Sequence, residues 1–318
     1  MRTRAPRTRR SFARSKGRRR SYAPRRRLYT ARKRTYRKKP QSLCPPHLLS
    51  MRRKSILNIT SRKKRNGMQT VTTSGAAGVP ITPAFGPAFV NGVDGGYFLW
   101  CATAQTNTSS TAPYPVSADA ARTADLAYMR GLSEHVRIQT SSGVPWFHRR
   151  ICFATRAVLF RVGIDPSPTN TVAAYYDDTS RGIQRWAQNS ANNNTPNTLA
   201  AWNAVIFKGG EGVDWSDRII APLDTTRIDV KYDKTWTITS GNANGTVKER
   251  KLWHSMNKNL QYDEDENGEQ ETSTYFSVND KRGMGDYYVL DIIQAGTGAT
   301  TSDLMRITYN STLYWHER

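Results

Sequence analysis

The sequence predicts an all-β fold, an antiparallel sandwich or jelly roll of about eight strands, preceded by a disordered basic N-terminal arm. From Gly96 onward, short runs rich in Val, Ile, Phe, Tyr and Trp alternate with turn-forming Gly, Pro, Asn and Ser. The best helix candidate is Thr198–Phe207, which has Leu199, Trp202 and Val205/Ile206 at helical spacing. Many short strands with little helix are typical of sandwiches and jelly rolls.

The strand segments of the body have two different patterns. Tyr97–Ala102 is continuously apolar, whereas Glu134–Thr140 alternates, with Val136 and Ile138 on one side and Arg137 on the other. Alternation of this kind indicates a half-buried strand. The predicted strands are Tyr97–Ala102, Glu134–Thr140, Arg150–Val162, Thr226–Val230, Lys234–Thr239, Thr246–Trp253, Asp286–Ile293 and Leu304–Trp315.

Boundaries between the regions follow from composition. Residues 66–96 are rich in Gly, Pro, Thr and Ala, which predicts a linker with a possible first strand near Met68–Thr73. The β-rich domain is expected over residues 97–318, which are enough to bury a core. Within it, a polar turn is expected at Tyr232-Asp233.

The distribution of charge divides the chain into a strongly basic N-terminal region and a nearly neutral remainder. The first 65 residues contain 26 Lys and Arg and no carboxylate, and the first acidic residue is Asp94. The whole chain has 48 basic and 25 acidic residues, so the remainder holds 22 basic against 25 acidic, a net charge of −3. We expect residues 1–65 to be disordered in the free protein, because they have few apolar side chains and their charges repel one another. Such an arm requires a polyanionic partner.

Nucleic acid is the partner that the arm's composition favours. Each Lys or Arg can neutralise a phosphate and release a counterion, which gives sequence-independent, salt-sensitive binding. Arg outnumbers Lys by 15 to 4 in residues 1–40, which favours forked phosphate contacts, and interleaved aromatic residues can stack on unpaired bases. The predicted DNA-binding residues are Arg7, Arg9, Arg10, Arg14, Arg18, Arg19, Arg20, Tyr22, Arg25, Arg26, Arg27, Tyr29, Arg32, Lys33, Arg34, Tyr36, Arg37, Lys38 and Lys39.

The same clusters match the short Lys/Arg runs that nuclear import receptors recognise. The two functions are compatible, because an import receptor can hold the arm before nucleic acid does. The predicted import residues are Arg18, Arg19, Arg20, Arg25, Arg26, Arg27, Arg32, Lys33, Arg34, Arg37, Lys38 and Lys39.

Catalytic, metal and cofactor chemistry is not predicted. Cys44, Cys101 and Cys152 are widely spaced, and we expect free thiols, the last two in core strands. The sequence has no phosphate-binding loop and no His-x-His pair. It also has no signal-peptide pattern and no 18-residue apolar run, so a membrane is not an expected partner.

An acidic segment at residues 263–271 imitates the start of a calcium-binding loop. The twelfth position of that pattern is Thr274, where a bidentate Glu is required. We therefore interpret the segment as an exposed acidic loop with a turn at Asn267-Gly268. A contact of this loop with basic groups of a neighbouring subunit stays open.

Two histidines lie beside residue types that are enriched at protein interfaces. Trp146-Phe147-His148-Arg149 and Trp315-His316-Glu317-Arg318 each combine Trp and Arg with a histidine. The predicted subunit-interface residues are Trp146, His148, Trp315 and His316.

Three segments of the body form a recognisable combination with the basic arm. They are His135–Thr155, with Val144-Pro145-Trp146-Phe147-His148-Arg149-Arg150; Thr235–Asn259, with Trp236 and Lys251-Leu252-Trp253-His254; and the ending Thr308–Arg318. In this combination the chain resembles the capsid proteins of genomoviruses, the gemycircularvirus-like group. These are small circular single-stranded DNA viruses, distantly related to geminiviruses.

The resemblance implies a jelly-roll subunit that assembles into a T=1 icosahedral shell of about sixty copies around circular single-stranded DNA. It implies a location in the virion and in the host nucleus, and host nuclear import receptors as partners. The family supplies no catalytic residues to transfer.

The sequence therefore supports two classes of function. The leading hypothesis is a structural capsid protein that packages single-stranded DNA through its arm and carries a nuclear localisation signal there. The alternative is a cellular nuclear or ribosome-associated nucleic-acid-binding protein with a basic tail. An enzyme is a more distant third, because no polar constellation for catalysis was found.

Overall fold

The body of the chain consists mainly of β-strands in two main sheets, which confirms the all-β prediction. All of the described strand pairings are antiparallel except one, which lies in the larger sheet. The computed structural model describes residues 53–109, 112–165 and 173–318, apart from the side chains of residues 53, 54, 270 and 271. The helices are α1 (Arg53–Thr60) and α2 (Pro196–Ile206). The strands are β1 (Arg62–Ser74), β2 (Pro80–Phe85), β3 (Ala88–Asn91), β4 (Gly96–Cys101), β5 (Leu126–Thr140), β6 (Trp146–Thr155), β7 (Tyr176–Asp178), β8 (Gly182–Ala187), β9 (Asp229–Ile238), β10 (Val247–Gln261), β11 (Asp265–Asn267), β12 (Gln270–Thr272), β13 (Asp286–Ala295) and β14 (Leu304–Glu317).

The two sheets differ in size and in what covers them. Sheet one has the spatial order β10-β5-β14-β1-β8-β7, with β2 beside β1 and β3 beside β14. Sheet two has the order β4-β13-β6-β9. Apolar side chains of both sheets fill the space between them, and a further cluster packs the other face of sheet two against α2. Sheet two is therefore a middle layer.

This layering explains the two strand patterns in the sequence. In β4, every residue is buried, because Phe98 and Trp100 point between the sheets while Tyr97 and Leu99 point towards α2. A strand buried on both faces has a continuous apolar sequence. In β5 burial alternates, because the other face of sheet one is open to solvent.

The predicted helix is present and holds the outer apolar cluster. It starts at Pro196, where a missing N–H costs nothing. Trp202 of α2 stacks on Tyr97 of β4, with ring centroids 6.2 Å apart. Cys101 and Cys152 are buried free thiols, as expected for core residues.

Two strand predictions need correction. The strand predicted over Arg150–Val162 ends at Thr155, and a 3-10 turn follows at Val158–Phe160. The turn predicted at Tyr232-Asp233 is wrong, because β9 runs through it with a bulge opposite β6. Asp233 accepts two hydrogen bonds from Arg149 of β6, at 2.9 and 2.8 Å, which explains a carboxylate within the strand.

The boundary between arm and body also lies earlier than predicted. Two parts of the predicted disordered arm are ordered: residues 53–60 form α1, and residues 62–65 belong to β1. The predicted linker 66–96 contains the rest of β1 together with β2 and β3. Lys64 points inward and is 2% exposed. The prediction of disorder for residues 1–52 falls outside the described residues.

A buried ion pair explains why a lysine lies inside β1. Lys64 Nζ is 2.8 Å from Glu317 Oε2 on the neighbouring strand β14, and it also donates to the hydroxyl of Thr123 at 2.6 Å. Glu317 in addition accepts hydrogen bonds from the Thr123 hydroxyl at 2.7 Å and from the Trp315 indole at 2.6 Å. The first and last strands are thus joined by a charge pair with satisfied partners.

Replacing Glu317 with alanine should destabilise the body strongly. The change leaves the Lys64 ammonium buried without its counter-charge, which typically costs about 3–5 kcal/mol. Urea unfolding of the two proteins, followed by tryptophan fluorescence, measures the loss. The matched control is Glu249→Ala, since Glu249 is 58% exposed and should change stability by less than about 0.5 kcal/mol. Equal effects of the two changes would contradict the buried pair.

Candidate nucleic-acid interface

The sequence-predicted sites fall into two groups in the structure. All predicted DNA-binding and nuclear-import residues, from Arg7 to Lys39, lie outside the described residues. The four predicted interface residues lie inside them, and the structure moves three of these to the core.

Trp146, His148 and Trp315 are 0%, 0% and 1% exposed, so they have no surface to offer another subunit. The reason is strand register: all three occupy inward-facing positions of β6 and β14, between the two sheets. Residue composition predicted an interface, whereas the alternation of inward and outward positions along β6 and β14 places these side chains between the two sheets. His316 is partly exposed and faces outward from β14.

His316 belongs to a solvent-exposed face that the sequence did not reveal as a site. We call it the outer face: the outward positions of β10, β5, β14 and β1. Cross-strand register builds it row by row. One row joins Tyr128, His316 and Lys63, the next joins Tyr314 and Arg65, and a third joins Lys251 and His135. Directly paired positions share a face of the sheet.

Trp253 is the most exposed aromatic side chain of the outer face. It is 53% exposed and lies over Gly131 of β5, where an added Cβ would come within 2.7 Å of the indole ring. Its ring centroid is 5.8 Å from that of Tyr314. A glycine at residue 131 thus allows a large aromatic side chain to approach the strand backbone closely.

A second ring pair lies in the next row. Tyr128 and His316 have centroids 6.1 Å apart. The outer face therefore carries two neighbouring aromatic pairs, in a position where a soluble protein surface is normally polar.

The charges of the outer face have one dominant sign. Among the outward positions of these four strands, all of which the structure describes, Glu249 is the only carboxylate. Six cations share the face: Lys63, Arg65, Arg130, Arg137, Lys251 and Arg306. Burial, followed by the positive charges of Arg130 and Lys63, lowers the pKa of His316 on this face.

The pattern that reveals this face is visible in the sequence only when the strand register is known. Arg65, Lys251 and Trp253 each alternate with residues that point inward. Without the pairing of β10 with β5, and of β14 with β1, nothing in the sequence brings them together.

A second polar cluster lies between the sheets, and we call it the ionic network. It consists of Glu134, Arg150, Arg185 and Asp291, each with a fully buried side chain. Glu134 and Arg185 come from sheet one, whereas Arg150 and Asp291 come from sheet two. Two positive and two negative charges therefore balance.

The geometry of the network is bidentate at its centre. Arg150 donates two hydrogen bonds of 2.7 Å to the two oxygens of Asp291 and a third to Glu134. Arg185 donates to Glu134 and to Asp291, at 3.1 Å each. The Ser311 hydroxyl donates to Glu134 at 2.7 Å. Charged groups without water are stable only with such complete pairing.

Histidine extends the network in its neutral form. Burial lowers the pKa of His148, although its hydrogen bond with Asp291 opposes that shift. Nε2 lies 2.7 Å from Asp291 Oδ1, and Nδ1 lies 3.3 Å from Nη1 of Arg250. Because Arg250 can only donate, Nδ1 accepts and Nε2 carries the proton.

The carboxyl groups of the network are ionised. Burial alone raises the pKa of Asp291, but the Arg150 charge and the His148 hydrogen bond outweigh it and hold the pKa well below its usual range. Burial also raises the pKa of Glu134, but the charges of Arg150 and Arg185 outweigh burial and lower the pKa below its usual value. The arrangement suits a structural network rather than proton transfer.

The acidic segment at residues 263–271 forms the hairpin β11–β12 with the expected turn, in which Gly268 has φ of 66°. Within the described residues, no group of three His, Cys, Asp or Glu side chains comes together as a metal site. In the same part of the chain, no helix is long and apolar enough to cross a membrane.

Comparison with models of known protein families and with curated protein sequences finds no match for this chain.

Stability should fall in acid through His254, which lies beside the ionic network. Burial, with a smaller contribution from the Arg150 charge, lowers the pKa of His254 to about 4. The unfolded chain takes up the proton near pH 6.5 and the folded chain does so only near pH 4. The contribution of the neutral histidine is therefore complete above pH 6.5 and is lost as the pH falls towards 4.

The measurement is the free energy of unfolding of the protein minus that of His254→Gln, between pH 8 and 4. Taking this difference cancels the contribution of Asp286, which is common to both proteins. Burial raises the pKa of Asp286 to about 6, so its contribution to stability increases as the pH falls, opposite to that of His254. We expect a flat difference above pH 6.5 and a decline below it. A difference that stays constant down to pH 4 would mean that His254 titrates normally in the folded state.

Proposed function

We propose that this chain is the coat protein of a small T=1 icosahedral capsid that packages single-stranded DNA through its basic N-terminal arm. The observation that carries the proposal is the joining of two unlike parts. Residues 1–61 hold 22 Lys and Arg without a carboxylate, and a mainly antiparallel two-sheet body follows directly. A one-sided run of positive charge of this length suits a polyanionic partner.

We further propose that the body is a jelly roll. Eight strands support this, with β10-β5-β14-β1 in one sheet and β4-β13-β6-β9 in the other. Along the chain, these eight strands change sheets at every connection except the one from β6 to β9. The first and last of them, β1 and β14, are neighbours. Two four-stranded sheets linked in this way are the architecture of many viral capsid subunits.

The charge of the arm fits a small genome. About sixty copies of a segment with 22 basic residues bring roughly 1,300 positive charges inside a closed shell. Phosphate neutralisation on this scale suits a genome on the order of a few thousand nucleotides or less. The resemblance of the chain to genomovirus capsid proteins favours assembly in which the shell and the genome condense together.

Nuclear entry belongs to the same proposal. The Lys/Arg clusters between Arg18 and Lys39 suit import receptors, and the proposed locations are the virion and the host nucleus. No covalent chemistry is required, since assembly and charge neutralisation supply the whole function.

Deleting residues 1–52 should abolish DNA packaging and leave the body folded. The deletion removes 20 Lys and Arg but keeps β1, so that Lys64 still meets Glu317. A longer deletion through residue 65 would remove that buried pair and confuse loss of charge with loss of fold. Particles are counted by electron microscopy and their DNA is measured after nuclease treatment, for the full chain and for the deletion.

The result expected for the full chain is uniform closed particles containing protected DNA. For the deletion we expect DNA-free subunits or shells whose circular dichroism spectrum retains the β-sheet signal and whose unfolding transition stays cooperative. Packaging by the deletion protein would overturn the role of the arm. Free subunits or irregular complexes of the full chain, at every salt concentration and pH, would favour a cellular nucleic-acid-binding protein with a basic tail.

A further inference from the structure

We propose that the outer face of sheet one binds unpaired bases of nucleic acid, with Trp253 and Tyr314 as the stacking platform. This inference rests on the proposed function, because it takes the packaged single strand as the ligand. It assigns a second contact surface to the folded body, separate from the arm.

The aromatic geometry supports stacking rather than core packing. Trp253 is half-exposed although it lies on a regular strand, and it packs over the backbone of Gly131 and beside Tyr314, whose ring is tilted by 54°. About half of the Trp253 surface therefore stays accessible to a ligand. Base stacking on such a ring is tolerant of sequence, because every base has a π-face.

Cations lie on both sides of these rings. Arg65 is the direct cross-strand partner of Tyr314, and Lys251 lies two residues before Trp253 on the same side of β10. Arg130 and Lys63 add positive charge at His316 in the next row. A strand whose bases stack on Trp253 therefore has basic groups near its phosphates in each direction along the sheet.

The chemistry favours a single strand over the other possible occupants. A duplex keeps its bases paired and stacked internally, so it leaves the aromatic rings without a partner. A second copy of this chain, related by a two-fold axis, would place six cations against six, with only Glu249 on each side to offset them.

Photo-crosslinking of the full-length protein tests the proposal site by site. A single-stranded oligonucleotide containing 5-iodouracil is irradiated with the protein, and the crosslinked residues are identified by mass spectrometry. We expect adducts at Trp253 or Tyr314 in addition to the arm aromatics Tyr22, Tyr29 and Tyr36. A fully paired duplex should lose the adducts on the outer face by about fivefold or more.

Variants make the assignment specific. Trp253→Ala should lower the crosslinking yield at Tyr314 by about fivefold or more, whereas Trp253→Phe should retain most of it. The double change Arg65→Glu with Lys251→Glu should lower the yield on the outer face several-fold and leave the arm adducts unchanged. The matched control is Lys208→Glu, which alters an exposed residue after α2 and should change neither set. Circular dichroism confirms that each variant is folded.

The outcomes separate this inference from the proposed function. Adducts confined to the arm would overturn the stacking platform and leave the capsid proposal intact. Absence of adducts anywhere would contradict both. Protein–protein crosslinks through Trp253 would assign the outer face to contact between copies of the chain instead, and that also overturns the proposal.

Discussion

Four charges buried between the two sheets are the constraint on which the rest of the body depends. Apolar clusters above and below them tolerate small shifts of one sheet over the other, because apolar contact is not directional. The contacts of Arg150 with Asp291 and Glu134 do not tolerate such shifts. Moving a strand by one residue would turn one of these charges away from its partner, towards solvent in sheet one or into the apolar cluster beside α2 in sheet two. The partner would stay buried alone, at a cost of about 3–5 kcal/mol.

The ionic network therefore also determines what the outer face presents. Once Glu134 and Ser311 point inward, the residues beside them in β5 and β14 point outward. The same register places Lys251 and Trp253 on the solvent side of β10, since β10 pairs with β5 along most of its length. A buried interaction thus fixes the position of surface cations that it never touches. The proposed binding surface and the stability of the contact between the sheets therefore depend on the same strand register.

Local pattern was enough to predict the fold class, the α2 helix and most strand positions. It was not enough to tell a buried polar side chain from an exposed one. His148 and Arg150 look like surface residues by type, yet both lie on the inward side of β6 because Asp291 lies opposite them. Lys64 was assigned to the arm for the same reason, since its partner Glu317 is at the other end of the chain. Each error has the same physical origin: the burial of a charge is decided by a partner distant in sequence.

The candidate nucleic-acid interface also has one part that the sequence predicts and one part that it does not. The positive charge of the arm can be counted without any structure, because it depends on composition alone. The outer face exists only through register, and its six cations are few beside the 22 of residues 1–61. In the proposed capsid the face would therefore add about a quarter to the charge that each subunit brings to the genome. Its value lies in position rather than in amount: the sheet holds Trp253, Tyr314 and their neighbouring cations at fixed spacing, which a long run of arginines cannot do by itself.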